Sequence, residues 1–524
     1  MYFQRESREE VDTLKIRMPF PTILCLPCFS FHNRLSFPAM IPQTSLAKLK
    51  STVGKENFLD SQEDRIAYSY DGTPLLKQLP DAIVIPRSLE QVSEILKLAN
   101  EEHFAVVARG SGSGLSGGSI PPENGVVMLM SLWNKILEID EKNLAAWVEP
   151  GVITGQFHEA VEARGLFYPP DPGSAAICTL GGNVAENAGG LRGLKYGVTK
   201  SYVLGMQVVL PTGEIMTVGG KSVKDVAGYN LKDFLVGSEG TLGVFTKILL
   251  KLIPKPETSR TMLAFYNKLA DAAETVSDII ASKITPAALE FLDNTTIRSV
   301  ESYAHLGLPT TIESLLLIEV DGRPSVVEED KETIATICRK HNATEVRVAA
   351  DAVEAAKLRS ARKIAFSALA RVRPTTILED ATVPRSEIAP MLERIMSISS
   401  NYNLTFGNFG HAGDGNLHPT CLTDERDSDE IRRAHAAFEE IFMTAVKMGG
   451  TISGEHGTGL SKKKFLEKVT DPPAIEMMRN IKSVIDPNGV LNPGKIFSLK
   501  PRCEGPMPRS QEQLKKLMES GAYT

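Results

Sequence analysis

No basic tract, no charged tail and no long apolar run stands out in this chain of 524 residues. Its 58 basic and 64 acidic residues are interspersed and leave a net charge of −6. Nucleic acid is thereby excluded as a partner, because phosphate backbones are bound by clustered Lys and Arg. The longest apolar stretch near the start, 18–31, contains Pro19, Pro21 and Pro27. It is too short and too broken for a bilayer span, so no transmembrane segment is expected. Glu6, Glu9, Glu10 and Asp12 precede it, where a secretory signal would carry positive charge. Cysteine is sparse: of six, only Cys25 and Cys28 form a CxxC pair. No second pair completes a zinc or iron–sulfur set, and scattered thiols fit a reducing cytosol. The expected location is cytoplasmic, or peripheral at the inner face of the membrane through partner proteins. Neither an internal repeat nor a low-complexity segment is present.

What is there reads as a large globular protein. Apolar residues make up 42% and charged residues 23%, a balance that can bury large cores. The length asks for roughly three domains. Residues 1–45 have no clean periodicity and are expected to be a disordered extension, or the product of a start codon upstream of Met40. From 46 the pattern alternates strand and helix. Short strands are expected at 81–86, 104–109 and 126–132, and Ser88-x-x-Gln91 is a capping box opening a helix with Val92, Ile95, Leu96 and Leu98. A hairpin over 203–218 turns at 211–214. After Pro254 and Pro256, strands at 262–266 and 314–320 alternate with helices at 269–283, 326–341, 352–371 and 386–402. The expected domains are therefore 46–256, 257–497 and a tail over 498–524.

Glycine is concentrated in the first of these domains. Residues 109–118 contain a literal G-x-G-x-x-G at Gly112, Gly114 and Gly117. A Rossmann fingerprint needs a helix to begin inside the loop. Pro121 and Pro122 forbid one here, so that reading fails. What remains is a row of unhindered backbone N–H groups and serine hydroxyls, suited to wrapping a diphosphate, with a flexible surface loop as the competing reading. Two further glycine-rich regions, 179–190 and 237–244, could each be tight turns. Together with the first they favour a large dinucleotide.

Near the other end, Asp414-Gly415 is a two-residue hairpin signal, which sets His411 directly opposite His418. Pro419 then suits a strand end or an edge. Two imidazoles so placed can ligate one divalent ion, and Glu455 supplies a third ligand. Three ligands with an open position make a catalytic site, and His456 is left free as a base. Structural histidines and a surface loop are the competing readings.

In order along the chain, RGSGSGLSGG (109–118), PPDPGS (169–174), LGGNVAENAGG (180–190), KYG (195–197) and GSEGTLGV (237–244) resemble the FAD-binding domain of the vanillyl-alcohol-oxidase/PCMH flavoprotein superfamily. Within it the chain is similar to the glycolate oxidase flavoprotein subunit and FAD-linked D-lactate dehydrogenase family, over roughly residues 46–500. The resemblance implies an α+β fold: a two-subdomain PCMH-type FAD-binding domain, a substrate (cap) domain with a mainly antiparallel sheet, and a C-terminal segment returning to the flavin. It implies that Gly110, Ser111, Gly112, Ser113, Gly114, Gly117 and Gly118 hold the FAD pyrophosphate. Pro170, Asp171, Thr179, Gly181, Gly182, Asn187 and Gly190 would line the isoalloxazine and adenine sides, with Tyr196, Glu239, Gly243 and Val244. Relatives with covalent flavin often carry a His in the first loop; this one has none, which implies noncovalent FAD.

The same resemblance implies metal ligation by His411, His418 and Glu455 and a catalytic role for His456. The ion would be Zn, Mn or Fe. Arg362 matches the arginine that grips the substrate carboxylate, a task Arg359 or Arg371 could also perform. Asn492 matches the returning segment. Relatives acting on D-2-hydroxyglutarate carry a lysine where this chain has Leu378, which points to a small monocarboxylic 2-hydroxy acid. The implied electron acceptors are iron–sulfur or second flavoprotein subunits, an electron-transfer flavoprotein or a quinone. The chain is expected either to work alone as a dehydrogenase or to be active only with such partners.

Overall fold

In the computed structural model, which describes residues 40–498, segments 58–254 and 258–423 build separate sheets. Residues 1–39, with the CxxC pair, and the tail from 499 lie outside the described residues. Order begins earlier than the sequence pattern suggests. The helix Gln43–Val53 enters the expected extension because Leu49 and Val53 are buried on one side of it. Ile41, also buried, donates its N–H to Asp81 at 3.1 Å.

A four-stranded sheet runs Phe58–Leu59, Ala82–Val84, Gly125–Leu129, Ala105–Arg109. The helix Leu89–Glu102 covers it with Val92, Ile95, Leu96 and Ala99, and Ser88 caps its start by accepting from the Gln91 N–H at 3.3 Å. Ala105–Arg109 and Gly125–Leu129 pair in parallel, and their connection is the glycine loop with no helix in it, as the two prolines require. The C-terminal segment returns to this sheet. Leu491 bridges Val106, and the Asn492 N–H donates to the Val106 carbonyl at 2.8 Å. An antiparallel five-stranded sheet follows, Ile136–Asp140, Ala145–Val148, Val244–Lys251, Val203–Val209, Ile215–Gly219, whose last two strands are the expected hairpin.

The second half carries an eight-stranded antiparallel sheet. Its inner strands are Thr258–Tyr266, Ser314–Gly322, Ala288–Asp293, Thr405–His411 and Asn416–Thr423. The helix expected over 352–371 is two, Ala352–Lys363 and Ala365–Leu369. Pro419 sits mid-strand in the interior, not at an end. It is tolerated because the neighbouring chain breaks there, between Thr375–Leu378 and Ala381–Thr382. Glu379 donates to the Pro419 carbonyl at 3.2 Å, and Pro419 has no N–H to return. Among the described residues no helix is long and apolar enough to cross a membrane.

Candidate active site

A cavity of about 950 Å³ is lined by all three glycine regions and by residues of the second half. Gly110, Ser111, Gly112, Ser113, Gly114 and Gly118 line it from the first loop. Thr179, Gly181 and Gly182 line it from the second region, and Glu239, Gly243 and Val244 from the third. The loops fit against one another: a Cβ on Gly110 would overlap Thr179 Oγ1, and one on Gly112 would overlap the Arg109 guanidinium. Gly114 and Gly173 instead stand open, with no atom within 4 Å of a Cβ position. Such a cradle, floored by backbone, is what a dinucleotide needs.

The remaining expected cofactor residues do not line the cavity but brace its walls. Gly117 (φ 76°) donates its N–H to Thr73 Oγ1 at 2.7 Å. The Pro170 carbonyl lies 2.9 Å from His158 Nε2, and Asp171 accepts the Arg192 N–H at 3.1 Å. Gly190 packs against the Asp171 backbone too closely for any side chain. Asn187 ends the helix Leu180–Glu186 in a left-handed conformation, and the Tyr196 hydroxyl donates to Asp321 at 2.8 Å. Asn492 donates to the carbonyls of Gly118 (2.9 Å) and Glu239 (2.7 Å), so the returning segment clamps two glycine loops together. Gly112 has φ 73°, which a β-branched residue resists. We expect Gly112→Val to cost about 1–3 kcal/mol of strain and weaken FAD roughly tenfold or more. The ratio of flavin to protein absorbance in purified variant checks this, and an unchanged ratio would place the loop away from the cofactor.

The same cavity is lined by Arg362, His418, Glu455 and His456, with His411 buried beside His418. The hairpin register differs from the expected one. The turn takes four residues, so His411 faces Asn416 and His418 faces Phe409. The shift is by two positions, which leaves every side chain on its original face. The two imidazoles therefore still meet, diagonally, with ring centroids 5.0 Å apart. Their Nε2 atoms converge on one oxygen, Glu455 Oε1, at 2.9 Å from His411 and 3.2 Å from His418. Burial would pull His411 down, but the Glu290 and Glu455 carboxylates outweigh it and hold it well above the usual imidazole range. Burial would push Glu455 up, but His411 and His418 hold it well below the usual carboxylate range.

Asp380, which the sequence reading did not single out, is the hub of this region. It continues the register opposite His418, at the strand break. Its Oδ1 lies 2.8 Å from His456 Nδ1 and 3.3 Å from His418 Nδ1. Its Oδ2 accepts the N–H groups of Gly454 (3.2 Å) and His456 (3.1 Å), and the Lys462 ammonium lies 3.3 Å away. Asp380, His418, Glu455 and His456 present donor atoms within 4.8 Å of one another. Glu290 was missed as well; a fully buried carboxylate inside the apolar strand Ala288–Asp293 was the available signal. Glu186 lines the cavity with a buried, unpartnered oxygen, and burial with the Glu239 and Asp71 carboxylates pushes it well up. Of the three candidate arginines, Arg362 lines the cavity. Arg359 turns to Glu319 at 2.8 Å, and Arg371 lies over Tyr303 at 5.2 Å.

Comparison with known proteins decides the lineage. Residues 80–219 match the family described as "FAD binding domain", and 255–496 match "FAD linked oxidases, C-terminal domain". The chain belongs to the FAD-linked oxidases. It is 53% identical to "Glycolate oxidase subunit GlcD" of Bacillus subtilis (strain 168), covering 88% of this chain and 98% of that one. It is 37% identical to "D-lactate dehydrogenase" of Archaeoglobus fulgidus, covering 82% and 95%. The PCMH-type fold is shared with p-cresol methylhydroxylase with substrate bound (TM-score 0.74, 19% identity, 88% and 98% covered) and with 4-ethylphenol oxidase from Gulosibacter chungangensis (TM-score 0.72, 20% identity, 88% and 97% covered). This FAD-linked oxidase is thus an FAD-binding oxidoreductase with an α+β architecture. The open glycine cradle fits the cofactor. Two imidazoles sharing one carboxylate oxygen make a donor set of the kind a divalent cation takes.

Proposed function

We propose that this oxidoreductase converts a small D-2-hydroxy monocarboxylic acid, with D-lactate and glycolate the leading candidates, to the 2-oxo acid. One observation carries the reading: Arg362, His418, Glu455 and His456 line the same cavity as the glycine loops. Arg362 would bind the substrate carboxylate, since it lines the cavity and only its Nε is taken by Glu290, at 2.7 Å. His411, His418 and Glu455 would hold a divalent cation, Zn, Mn or Fe, and FAD would sit noncovalently in the glycine cradle. When bound, the cation supplies Lewis acidity to the substrate hydroxyl and the flavin supplies a hydride acceptor. His456 would take the hydroxyl proton, with its Nδ1 lying 2.8 Å from Asp380 Oδ1 and Nε2 left for substrate. Leu378 is buried at the cavity wall and offers no charge to a second carboxylate, which favours a monocarboxylate.

Residues to 256 serve in this reading as the cofactor domain and 257–497 as the substrate domain. Reduced flavin must pass its electrons on, to iron–sulfur or flavoprotein subunits, an electron-transfer flavoprotein or a quinone. An anaerobic screen of D- and L-hydroxy acids for flavin bleaching tests the substrate class. We expect D-lactate or glycolate to bleach the flavin, and D-2-hydroxyglutarate to fail. Dye reduction by the purified chain alone would show a self-sufficient enzyme; its absence favours a subunit that needs partners. Exhaustive chelation should suppress bleaching by on the order of 10²-fold and zinc or manganese should restore it. Full activity after chelation would remove the cation from the mechanism.

A further inference from the structure

Glu290 is a buried carboxylate to which the proposed chemistry gives no task beyond steadying Arg362. It is fully buried on the strand Ala288–Asp293, and continuing that strand's pairing with Thr405–His411 sets it opposite His411. Its two oxygens are divided between two partners. Oε2 lies 2.7 Å from Arg362 Nε, and Oε1 lies 2.8 Å from His411 Nδ1. We infer that Glu290 is a shared positioning residue, fixing the arginine that grips the substrate carboxylate and the histidine that faces the cation at one constant separation. This rests on the roles of Arg362 and His411 in the proposed function.

Each contact does a specific thing. A carboxylate at His411 Nδ1 keeps a proton on that nitrogen and leaves Nε2, 2.9 Å from Glu455, as the atom that would meet a cation. Ligating histidines are commonly oriented this way, and losing the outer partner costs metal affinity. At Arg362, engaging Nε fixes the guanidinium plane, which also stacks over Phe409 at 4.7 Å. The Nη pair is then left end-on for a planar anion. Both partners hang on regular elements, Arg362 on the helix Ala352–Lys363 and His411 on an inner strand, so the bridge joins two rigid bodies. An ion pair that only stabilised the fold would need neither the second oxygen on His411 nor a place behind the cavity wall.

The test is Glu290→Gln in the FAD-loaded full chain. The amide keeps the shape, but it has one acceptor oxygen for two donors, and the charge is lost to both. Zinc affinity, read by competition with a chromophoric chelator, is expected to fall about 10–100-fold. At saturating zinc, the KM for D-lactate should rise roughly tenfold or more, with bound FAD unchanged. Glu319→Gln, on the neighbouring strand Ser314–Gly322, frees Arg359 of the helix Ala352–Lys363 away from the cavity and should move neither value. Wild-type chain that takes up none of zinc, manganese and iron(II) overturns the cation reading and the shared role with it. Wild-type uptake with either quantity unchanged in Glu290→Gln overturns the shared role alone. Should that variant not accumulate with FAD bound, Glu290→Met in an Arg362→Met background leaves no unpaired charge. Compared with Arg362→Met alone, it should still lose about tenfold or more in zinc affinity, and equal affinities overturn the proposal.

Discussion

His456→Ala should purify with its full complement of FAD and yet show flavin reduction by D-lactate slowed by about 10²–10⁴-fold. The fold has reason to survive the change. His456 contributes one contact to Asp380 and stacks on His418 with ring centroids 5.1 Å apart. The Asp380 carboxylate keeps its other donors, the Ser453 hydroxyl, the Gly454 N–H and the Lys462 ammonium. No residue of the three glycine regions hydrogen-bonds the His456 side chain; the loop after it is tied to Glu239 by the Thr458 and Gly459 N–H groups at 2.7 and 2.6 Å. Cofactor retention and loss of chemistry should therefore separate. The measurement is anaerobic stopped-flow bleaching with the flavin absorbance as internal control. Bleaching at the wild-type rate would remove His456 as the base.

Much of this site was legible from sequence, and the parts that were not share a physical cause. Local signals carried far: Pro121 and Pro122 rule out a helix after the glycine loop, and the loop indeed runs straight into a parallel strand. The hairpin signal at Asp414-Gly415 led to a register wrong by two residues, because the turn spans 412–415. The imidazole pairing survived only because strand side chains repeat with period two. A slip of one would have sent His418 to the other face. The partners of Asp380 and Glu290 were illegible for a different reason. Each acts across strands distant in sequence, Glu290 on a residue 121 positions away and Asp380 on one 76 positions away. No local spacing encodes those pairings. The bracing roles of Asp171, Gly190 and Asn492 were hidden for the same reason, since a motif shows which residues recur together but not which of them face the ligand.

Asp380→Asn should be the more revealing variant, because it is expected to fold and still fail. The buried carboxylate faces two ways. Oδ2 is surrounded by donors, the N–H groups of Gly454 and His456, the Ser453 hydroxyl and the Lys462 ammonium, all within 3.3 Å. Oδ1 faces the Nδ1 atoms of His456 and His418. An amide has a single acceptor oxygen, and those donors can tolerate only oxygen on their side. Its NH2 group must then face His456 Nδ1, which can accept only in the tautomer that carries the proton on Nε2. That is the nitrogen needed as a base, so catalysis stops although the geometry persists. A wrong tautomer enforced in this way costs on the order of 10⁴-fold in a histidine-dependent enzyme. By contrast Asp380→Ala removes the acceptor oxygen as well as the charge, leaving the Gly454 and His456 N–H groups unpaired and the fully buried Lys462 with Glu379 alone at 3.2 Å, and should cost about 3–5 kcal/mol of stability. The pair of variants distinguishes positioning from stability. Thermal melting should report a large loss for Ala and a small one for Asn, while anaerobic flavin reduction by D-lactate should be abolished in both. If the Asn variant reduces its flavin at more than about a tenth of the wild-type rate, Asp380 does not set the tautomer of His456.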